Sequence, residues 1–243
     1  MNILIIGSSN GLGKEIFEQK KDTNADIYTI SKYSNSKVYD DHLKHTKQLI
    51  KTDLAKIQNQ AEINLIVNKF PILDQIYFLI GGGFGRKDIL PNYEDMLFIY
   101  KMNVFIISSL IKGLNEKEKM NKNSKICIVS SIASKEVTAS PAYSSAKSAL
   151  NTYGKLITKK KDTQFGSLTN FICGAFEGNG ASFDRLKKNN LNAYNNYIKN
   201  KLPNGEPLRT KDLASYIITT MDFSKNILDG LTIKIDGNES IAI

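Results

Sequence analysis

Apolar residues along the chain fall into two alternating patterns. Short runs rich in β-branched residues, several of them apolar throughout, predict strands that are covered on both faces. They lie at residues 2–6, 26–30, 48–50, 75–80, 125–130, 167–173 and 231–235. Stretches with helical spacing separate them, at residues 11–20, 55–69, 93–114, 141–160 and 211–221. This alternation predicts an α/β sandwich, doubly wound around a central, mostly parallel seven-stranded sheet.

Two helix starts have local signals. Ser140 followed by Pro141 predicts the beginning of the fourth helix, and Thr210 is expected to cap the fifth.

Residues 176–207 break the alternation. This segment follows the sixth strand and is rich in Gly, Asn, Lys and Tyr. Ligands of open α/β sheets bind beyond the carboxyl ends of the strands, so a segment that leaves the sheet there can close over a substrate. We therefore expect one domain over residues 1–243 with a substrate lid at about 176–207. The alternative is a solvated helical hairpin without contacts.

A glycine-rich turn, GSSNGLG at residues 7–13, joins the first strand to the first helix. Gly7 permits a tight turn, Gly11 allows the backbone to approach a pyrophosphate, and Gly13 lets the helix pack on the strand. The spacing is GxxxGxG rather than GxGxxG, and a plain loop is the alternative. The position of the turn favours a dinucleotide site in a Rossmann-like fold.

The end of the second strand reads Ser31-Lys32 and carries no carboxylate. A carboxylate at this place would bind a free ribose 2′-hydroxyl, whereas Lys32 can neutralise a 2′-phosphate. The sequence therefore favours NADP(H) over NAD(H), with an ordinary surface lysine as the alternative for Lys32. Asp53, after the third strand, is expected to bind the adenine amino group or to cap the helix that follows.

Tyr143 and Lys147 are four residues apart near the start of a helix, so both side chains lie on one face. A free tyrosine has a pKa of ~10, and a neighbouring ammonium stabilises the phenolate. We therefore expect Lys147 to lower the pKa of Tyr143. A core tyrosine beside a surface lysine gives the same spacing in ordinary helices.

Further motifs follow in a fixed order. They are GGG at 81–83, Asn103 within an apolar helix, IVSS at 128–131, YSSAK at 143–147, and LDG with DG between 228 and 237. Together with the glycine-rich turn they resemble the TGxxxGxG, NNAG, helix asparagine, serine strand, YxxxK and TG…DG of the short-chain dehydrogenase/reductase family, in its single-domain type of about 250 residues. The resemblance runs from end to end of the chain.

The resemblance implies four catalytic residues, Asn103, Ser131, Tyr143 and Lys147. Tyr143 would donate a proton to a carbonyl oxygen as hydride leaves the nicotinamide, while Ser131 polarises that carbonyl. Asn103 would hold a water that relays protons to Lys147. The expected cofactor contacts are Gly7, Ser9, Asn10, Gly11, Leu12, Gly13, Ser31, Lys32, Asp53, Leu54, Gly81, Gly82, Tyr143, Lys147, Gly174 and Phe176. No metal is expected.

The chain departs from the family pattern in three places. GGG at 81–83 lacks the asparagines of NNAG, which puts their support of the sheet in doubt. Cys173-Gly174 stands where the family has Pro-Gly, and the separation of Ser131 and Tyr143 is one residue shorter than usual. None of these departures removes a catalytic group.

These features predict an NADP(H)-dependent oxidoreductase that interconverts a carbonyl and a secondary alcohol. The lid is polar and basic around residues 183–188, which suits a polar small molecule such as a sugar or sugar nucleotide. A 3-oxoacyl-[acyl-carrier-protein] reductase is the alternative, because basic residues can steer an acidic carrier. An alternative of another class is a catalytically silent NADP(H)-sensing protein.

Charge does not favour a nucleic-acid partner. Lys and Arg number 33 against 24 acidic residues, which gives a net charge of +9. The arginines are only Arg86, Arg185 and Arg209, so the excess is lysine, without the planar groups that read bases.

The remaining features concern location and assembly. Cys127 and Cys173 lie in apolar runs and are expected to be reduced core thiols. No apolar run approaches the roughly 18 residues of a membrane helix, and the N-terminus lacks the features of a signal peptide. A cytoplasmic protein without a membrane partner is expected. Apolar faces on the helices at 93–114 and 141–160 predict a homodimer or homotetramer.

Overall fold

The computed structural model describes residues 1–159 and 163–242. Its central sheet has seven parallel strands in the order β3-β2-β1-β4-β5-β6-β9. The strands are β1 Asn2–Ile6, β2 Asp26–Ser31, β3 Gln48–Lys51, β4 Gln75–Phe78, β5 Lys125–Ser131, β6 Ser167–Cys173, β7 Phe176–Glu177, β8 Leu208–Arg209 and β9 Thr232–Ile235. β7 and β8 pair in a separate small sheet. The predicted doubly wound, Rossmann-like α/β class is confirmed.

Helices cover both faces of the sheet. They are α1 Gly11–Lys20, α2 Ser36–His45, α3 Gln60–Val67, α4 Tyr93–Tyr100, α5 Ile106–Glu116, α6 Pro141–Ile157, α7 Ser182–Asn189, α8 Leu191–Lys201, α9 Thr210–Met221 and α10 Lys225–Leu228. A π-helical turn, Lys101–Phe105, joins α4 to α5. The two remaining short helices are the 3-10 turns Leu54–Lys56 and Ile132–Ser134.

The apolar strands explain the two layers of helices. Successive side chains of a strand point to opposite faces. On β1, Leu4 and Ile6 join the core beneath α3 and α5, whereas Ile3 and Ile5 join the core beneath α1 and α9. These four side chains are fully buried, as a strand in the middle of a doubly covered sheet requires.

Several helices begin or end at other residues than predicted, because capping residues determine where a helix starts. The predicted helix at 55–69 is divided, since the side chain of Asn59 accepts from the backbone N–H of Glu62 and starts α3 there. Thr210 is not the cap of α9 but its first residue, after Arg209. Ser140 does precede α6, but without a side-chain capping bond. The predicted end of that helix, residue 160, lies outside the described residues, and α6 ends at Ile157.

The lid is a helical pair, α7 and α8, that is tied to the rest of the fold. The ring of Phe183 packs against that of Tyr197 with centroids 4.9 Å apart. The Tyr197 hydroxyl donates to the carboxylate of Glu239, which follows β9 and lies outside the lid. The segment is therefore not a hairpin without contacts.

The run Tyr93–Glu116 is long and apolar enough to cross a membrane by length and composition alone. The expectation that no apolar run approaches that length was therefore wrong. Half of the window is buried inside the protein, and Leu110 and Leu114 belong to its core, so the run has the placement of a core helix. Cys127 and Cys173 are both buried free thiols, as predicted.

Candidate active site

The glycine-rich turn has the geometry that its sequence predicts. Gly7 has φ +94°, and a Cβ there would lie 2.6 Å from the Leu79 carbonyl oxygen. A Cβ on Gly13 would lie 2.1 Å from the Gly7 carbonyl oxygen, so only glycine lets α1 pack on the turn. Asn10 precedes α1 without a side-chain capping bond, which leaves amides at the helix start for an anion.

The predicted cofactor residues lie along one edge of the sheet. They follow the carboxyl ends of parallel strands, which meet at the same edge. Gly7, Ser9, Asn10, Gly11, Leu12 and Gly13 follow β1; Ser31 and Lys32 mark the end of β2; Asp53 and Leu54 follow β3; Gly81 and Gly82 follow β4; Gly174 and Phe176 follow β6.

Asn103 clamps the loop that follows β4. It is fully buried in the π-helical turn. Its Oδ1 accepts from the N–H of Gly82 at 2.9 Å, and its Nδ2 donates to the carbonyl oxygens of Gly82 and Ile99 at 3.0 and 2.9 Å. These bonds supply the support that the missing asparagines of NNAG had put in doubt. The relay water expected at Asn103 stays a prediction, beside these bonds to the backbone.

Gly81 brings Asn103 and Lys147 together. It has φ +115°, and a Cβ at this position would lie 2.4 Å from Asn103 Oδ1 and 3.3 Å from Lys147 Nζ. The absent side chain is therefore what allows the π-helical turn, the loop after β4 and α6 to meet.

Ser131, Tyr143 and Lys147 form the second half of the site. Ser131 ends β5, and its side chain is close enough to Tyr143 to oppose the rise of the Tyr143 pKa. Lys147 Nζ lies 5.8 Å from the centroid of the Tyr143 ring and donates to the Val129 carbonyl oxygen at 2.9 Å. The structure thus places the predicted serine, tyrosine and lysine in contact at the carboxyl end of β5.

Burial controls the charges in this group. It raises the pKa of Tyr143 to about 12, and the neighbouring Ser131 side chain opposes the rise. It lowers the pKa of Lys147 to about 8. The expected lowering of the Tyr143 pKa by Lys147 is therefore absent from the free chain, where desolvation is the largest cause and the ammonium is bound to the Val129 carbonyl. Tyr143 keeps its proton at neutral pH.

An ion pair that the sequence did not reveal joins the ends of β2 and β3. Lys32 Nζ lies 2.9 Å from Asp53 Oδ2, and Lys32 is the largest cause that lowers the pKa of Asp53. Asp53 Oδ1 also accepts from the N–H of Ala55, which is the capping alternative considered for this residue. Nearby, the Ser31 hydroxyl donates to Ser9 Oγ at 2.7 Å and joins β2 to the glycine-rich turn.

The side chain of Glu239, near the end of the chain, joins the end of β6 to the lid. Glu239 Oε2 accepts from the N–H of Ala175 at 2.6 Å, and its Oε1 accepts from the Tyr197 hydroxyl of α8. A Cβ on Gly174 would lie 2.6 Å from Glu239 Oε2, so the glycine of Cys173-Gly174 makes room for this carboxylate. No motif marked Glu239 or Tyr197, because both act through contacts that are distant in sequence.

The sheet, the glycine-rich turn and the group at β5 define a dinucleotide-dependent oxidoreductase. The family model for short chain dehydrogenase matches residues 1–164. The chain belongs to the short-chain dehydrogenase/reductase family and is an NAD(P)-dependent oxidoreductase acting on CH–OH and carbonyl groups. A comparison with curated protein sequences gives no match.

Solved structures share this fold at low sequence identity. L-sorbose reductase from Gluconobacter frateurii, complexed with NADPH and L-sorbose, has a TM-score of 0.80 at 18% identity, over 100% of this chain and 97% of that chain. ElxO with NADP bound has a TM-score of 0.81 at 18% identity, over 98% of both chains. RhlG from Pseudomonas aeruginosa with NADP has a TM-score of 0.80 at 18% identity, over 98% of this chain and 95% of that chain.

Proposed function

We propose that this protein interconverts a carbonyl and a secondary alcohol with NADP(H), using Tyr143 as the acid. The observation that carries the proposal is the convergence of Ser131, Tyr143, Lys147 and Asn103 beside Gly81. The site fits a dinucleotide because no side chain caps the start of α1, and because Gly81, Gly82 and Gly83 of the loop after β4 have no side chains to block the cofactor. When bound, the nicotinamide supplies or accepts the hydride.

The residues of the chain supply the proton and the binding of the oxygen. In reduction, Tyr143 gives its proton to the carbonyl oxygen, and its raised pKa keeps it protonated until then. The Ser131 hydroxyl, next to Tyr143 at the end of β5, stabilises the developing alkoxide. Lys147 stabilises the resulting phenolate and returns a proton to it. Asn103 fixes the loop beside Lys147 through Gly82.

Lys32 supports the choice of NADP(H). Its side chain is 69% exposed, its partner is Asp53, and no carboxylate stands at the end of β2 to bind a 2′-hydroxyl. An incoming 2′-phosphate can share or replace Asp53 as the partner of Lys32. The NADPH and NADP in the three related structures support the same preference.

The lid supports a polar substrate. Arg185, Lys187 and Lys188 lie on α7, and this helix has no buried residue. Such a surface suits a hydroxylated or anionic molecule, a sugar or sugar nucleotide, and L-sorbose in one related structure is of this class. The same lysines would suit an acidic acyl-carrier protein. A 3-oxoacyl-[acyl-carrier-protein] reductase is therefore the alternative.

We further propose that residues 1–243 form one domain and that the cytoplasmic protein is a homodimer or homotetramer. Tyr93, Leu97 and Phe105 are exposed apolar residues along α4 and the π-helical turn, which supports pairing of subunits there.

The Tyr143→Phe variant tests the reaction. It should bind NADPH like the wild type and lower turnover by at least ~10², because the acid is lost. Tyr153→Phe, on the same helix but in the core beneath the sheet, is the matched control. Wild-type turnover from Tyr143→Phe would disprove the mechanism.

A substrate panel tests the specificity. We expect oxidation of NADPH by keto-sugars or keto-sugar nucleotides but not by acetoacetyl thioesters. The reverse result would establish the acyl-carrier alternative. Binding of NADPH without turnover of any carbonyl in the panel would favour the silent sensing protein.

A further inference from the structure

A buried histidine lies beneath the glycine-rich turn, on the helix α2 that the sequence did not predict. His42 is fully buried, and its ring stacks on Phe17 of α1 with centroids 3.6 Å apart and planes at 11°. Its Nε2 lies 3.0 Å from the carbonyl oxygen of Ser8. Because a carbonyl only accepts, Nε2 carries the hydrogen and donates it to the turn.

Ser8 is held a second time through its side chain. Its hydroxyl lies 2.8 Å from the hydroxyl of Tyr33, which in turn donates to Thr29 Oγ1 at 2.8 Å. Tyr33 is buried with φ +48°, a left-handed conformation that a tyrosine keeps only where its contacts hold it. The ring of Tyr33 also packs edge-on against His42, with centroids 5.2 Å apart.

The position of Ser8 sets the start of α1. A Cβ on Gly13 would lie 3.3 Å from Ser8 Cα and 2.1 Å from the carbonyl oxygen of Gly7. The first turn of α1 is therefore packed directly on the Gly7–Ser8 peptide, next to the Ser8 carbonyl that His42 holds. A shift of Ser8 would move the amides that face the expected pyrophosphate.

We propose that His42 is a positioning residue for the cofactor: its neutral ring fixes the Ser8 carbonyl and thereby sets the affinity of the glycine-rich turn for NADP(H). This inference rests on the proposed dinucleotide site. It assigns a role to α2, whose only buried residue is His42.

The surroundings of His42 favour the neutral ring. Burial lowers its pKa below the ordinary value, and the carbonyls of Ser8 and Val38 and the carboxylates of Asp41 and Glu18 oppose this shift without reversing it. In the described part of the chain, Nδ1 has no hydrogen bond of normal geometry. A second proton would therefore enter a buried place without a well-formed hydrogen bond.

The other charged and titratable groups near the ring do not change the preference of His42 for the neutral form. Lys21, directly after α1, lies 2.7 Å from Glu18 and 3.3 Å from Asp41, so the two nearby carboxylates are already paired. Tyr33 and Tyr39 pack around the same cluster, and a tyrosine hydroxyl is neutral in the range where histidine titrates. A charged ring cannot remain desolvated without cost, so acid is expected to displace His42 from the Ser8 carbonyl and thereby weaken cofactor binding.

Three variants test the proposal, with the affinity for NADPH measured by its fluorescence between about pH 5.5 and pH 8. His42→Leu removes the donor and should weaken NADPH binding about 3- to 10-fold near pH 7.5. His42→Gln keeps an amide donor at the same reach and should bind within about 2-fold of the wild type there. As the pH falls, the affinity of this variant for NADPH should also decrease less than that of the wild type.

His45→Gln is the matched control, because the chain has two histidines and His45 lies on the same helix. It should follow the wild type at every pH, and titration of the 2′-phosphate of NADPH is common to all the proteins. The proposal is overturned if His42→Leu binds NADPH like the wild type, or if His42→Gln keeps the wild-type pH profile. If the wild type binds neither NADPH nor NADH, the proposed function itself fails.

Discussion

The backbone N–H of Gly11 donates to the carbonyl oxygen of Asn179 at 2.7 Å, which joins the lid directly to the first residue of α1. Asn179 also donates from Nδ2 to Glu15 Oε2 at 2.5 Å. It has φ +55° between Gly178 and Gly180, whose φ values are +121° and +79°. Three successive residues with positive φ form a sharp bend, and this bend places the lid on the cofactor turn.

Glu15→Ala should loosen the lid. The carboxylate is the side-chain partner that holds Asn179, and one lost hydrogen bond is worth about 1 kcal/mol, or about 5-fold in the population of an open lid. The exposed basic residues of α7 provide cleavage sites for trypsin. We expect cleavage of the native protein within the lid to become about 5-fold faster, measured by the loss of intact chain.

Glu18→Ala is the control for this experiment. Glu18 lies on the same helix and pairs with Lys21, so its loss removes a carboxylate without touching the lid. Equal cleavage of Glu15→Ala and the wild type would show that Asn179 does not hold the lid through Glu15.

The sequence predicted the parts of the site that follow strands. The helix period puts Tyr143 and Lys147 on one face, and the family resemblance adds Ser131 at the end of a strand. The glycines at 7, 11 and 13 were predicted from the same kind of local rule, and Gly7 and Gly13 have the close backbone contacts that the rule requires. Such features can be predicted because the residues that form them lie close together in the sequence.

The parts that the sequence did not reveal depend on contacts between distant segments. Asn103 binds Gly82, 21 residues away, and Glu239 binds Ala175, 64 residues away. The helix α2 is mostly polar and buries only His42, so it has no apolar period to detect. The pKa of Tyr143 was predicted in the wrong direction, because burial cannot be read from the spacing of two residues.

Gly81→Ala should destabilise the fold, whereas Gly83→Ala should not. A Cβ at Gly81 would collide with Asn103 Oδ1 at 2.4 Å in a backbone conformation with φ +115°. A Cβ at Gly83 would meet nothing within 4 Å. We expect Gly81→Ala to lower the free energy of unfolding by about 1–3 kcal/mol, measured by denaturant titration. Equal stability of the two variants would mean that the loop after β4 is not clamped by Asn103.

Lys32→Ala should weaken NADPH more than NADH. Only NADPH carries the 2′-phosphate that the ammonium would neutralise, so the ratio of the two dissociation constants should fall toward 1, by about 10-fold. Lys47→Ala is the matched control, because Lys47 precedes β3 at the opposite edge of the sheet and pairs with Asp26. Equal losses for both cofactors in Lys32→Ala would remove Lys32 from the phosphate site. Both constants are measured by titration of cofactor fluorescence.

Carbonyl reduction should slow as the pH rises through about 8. Burial lowers the pKa of Lys147 to about 8, so the ammonium that returns a proton to Tyr143 is present below this pH and lost above it. Tyr143 and Cys173 do not contribute to this step, because burial raises the pKa of each to about 12. The measurement is kcat/KM for a carbonyl substrate, followed by NADPH oxidation across the pH range.

Lys147→Arg separates this explanation from a general loss of structure at high pH. A guanidinium keeps its proton throughout the range, so the decline should move to higher pH even if the variant turns over more slowly. The same fall near pH 8 in the variant would assign the titration to another group.

Lys147 also predicts a change in stability with pH, of the opposite sign to the change in rate. The unfolded chain holds the Lys147 proton up to the ordinary pKa of lysine, whereas the folded chain loses it near pH 8. The contribution of Lys147 to the free energy of unfolding therefore rises with pH above about 8. Lys147→Met should lack that rise in denaturant titrations.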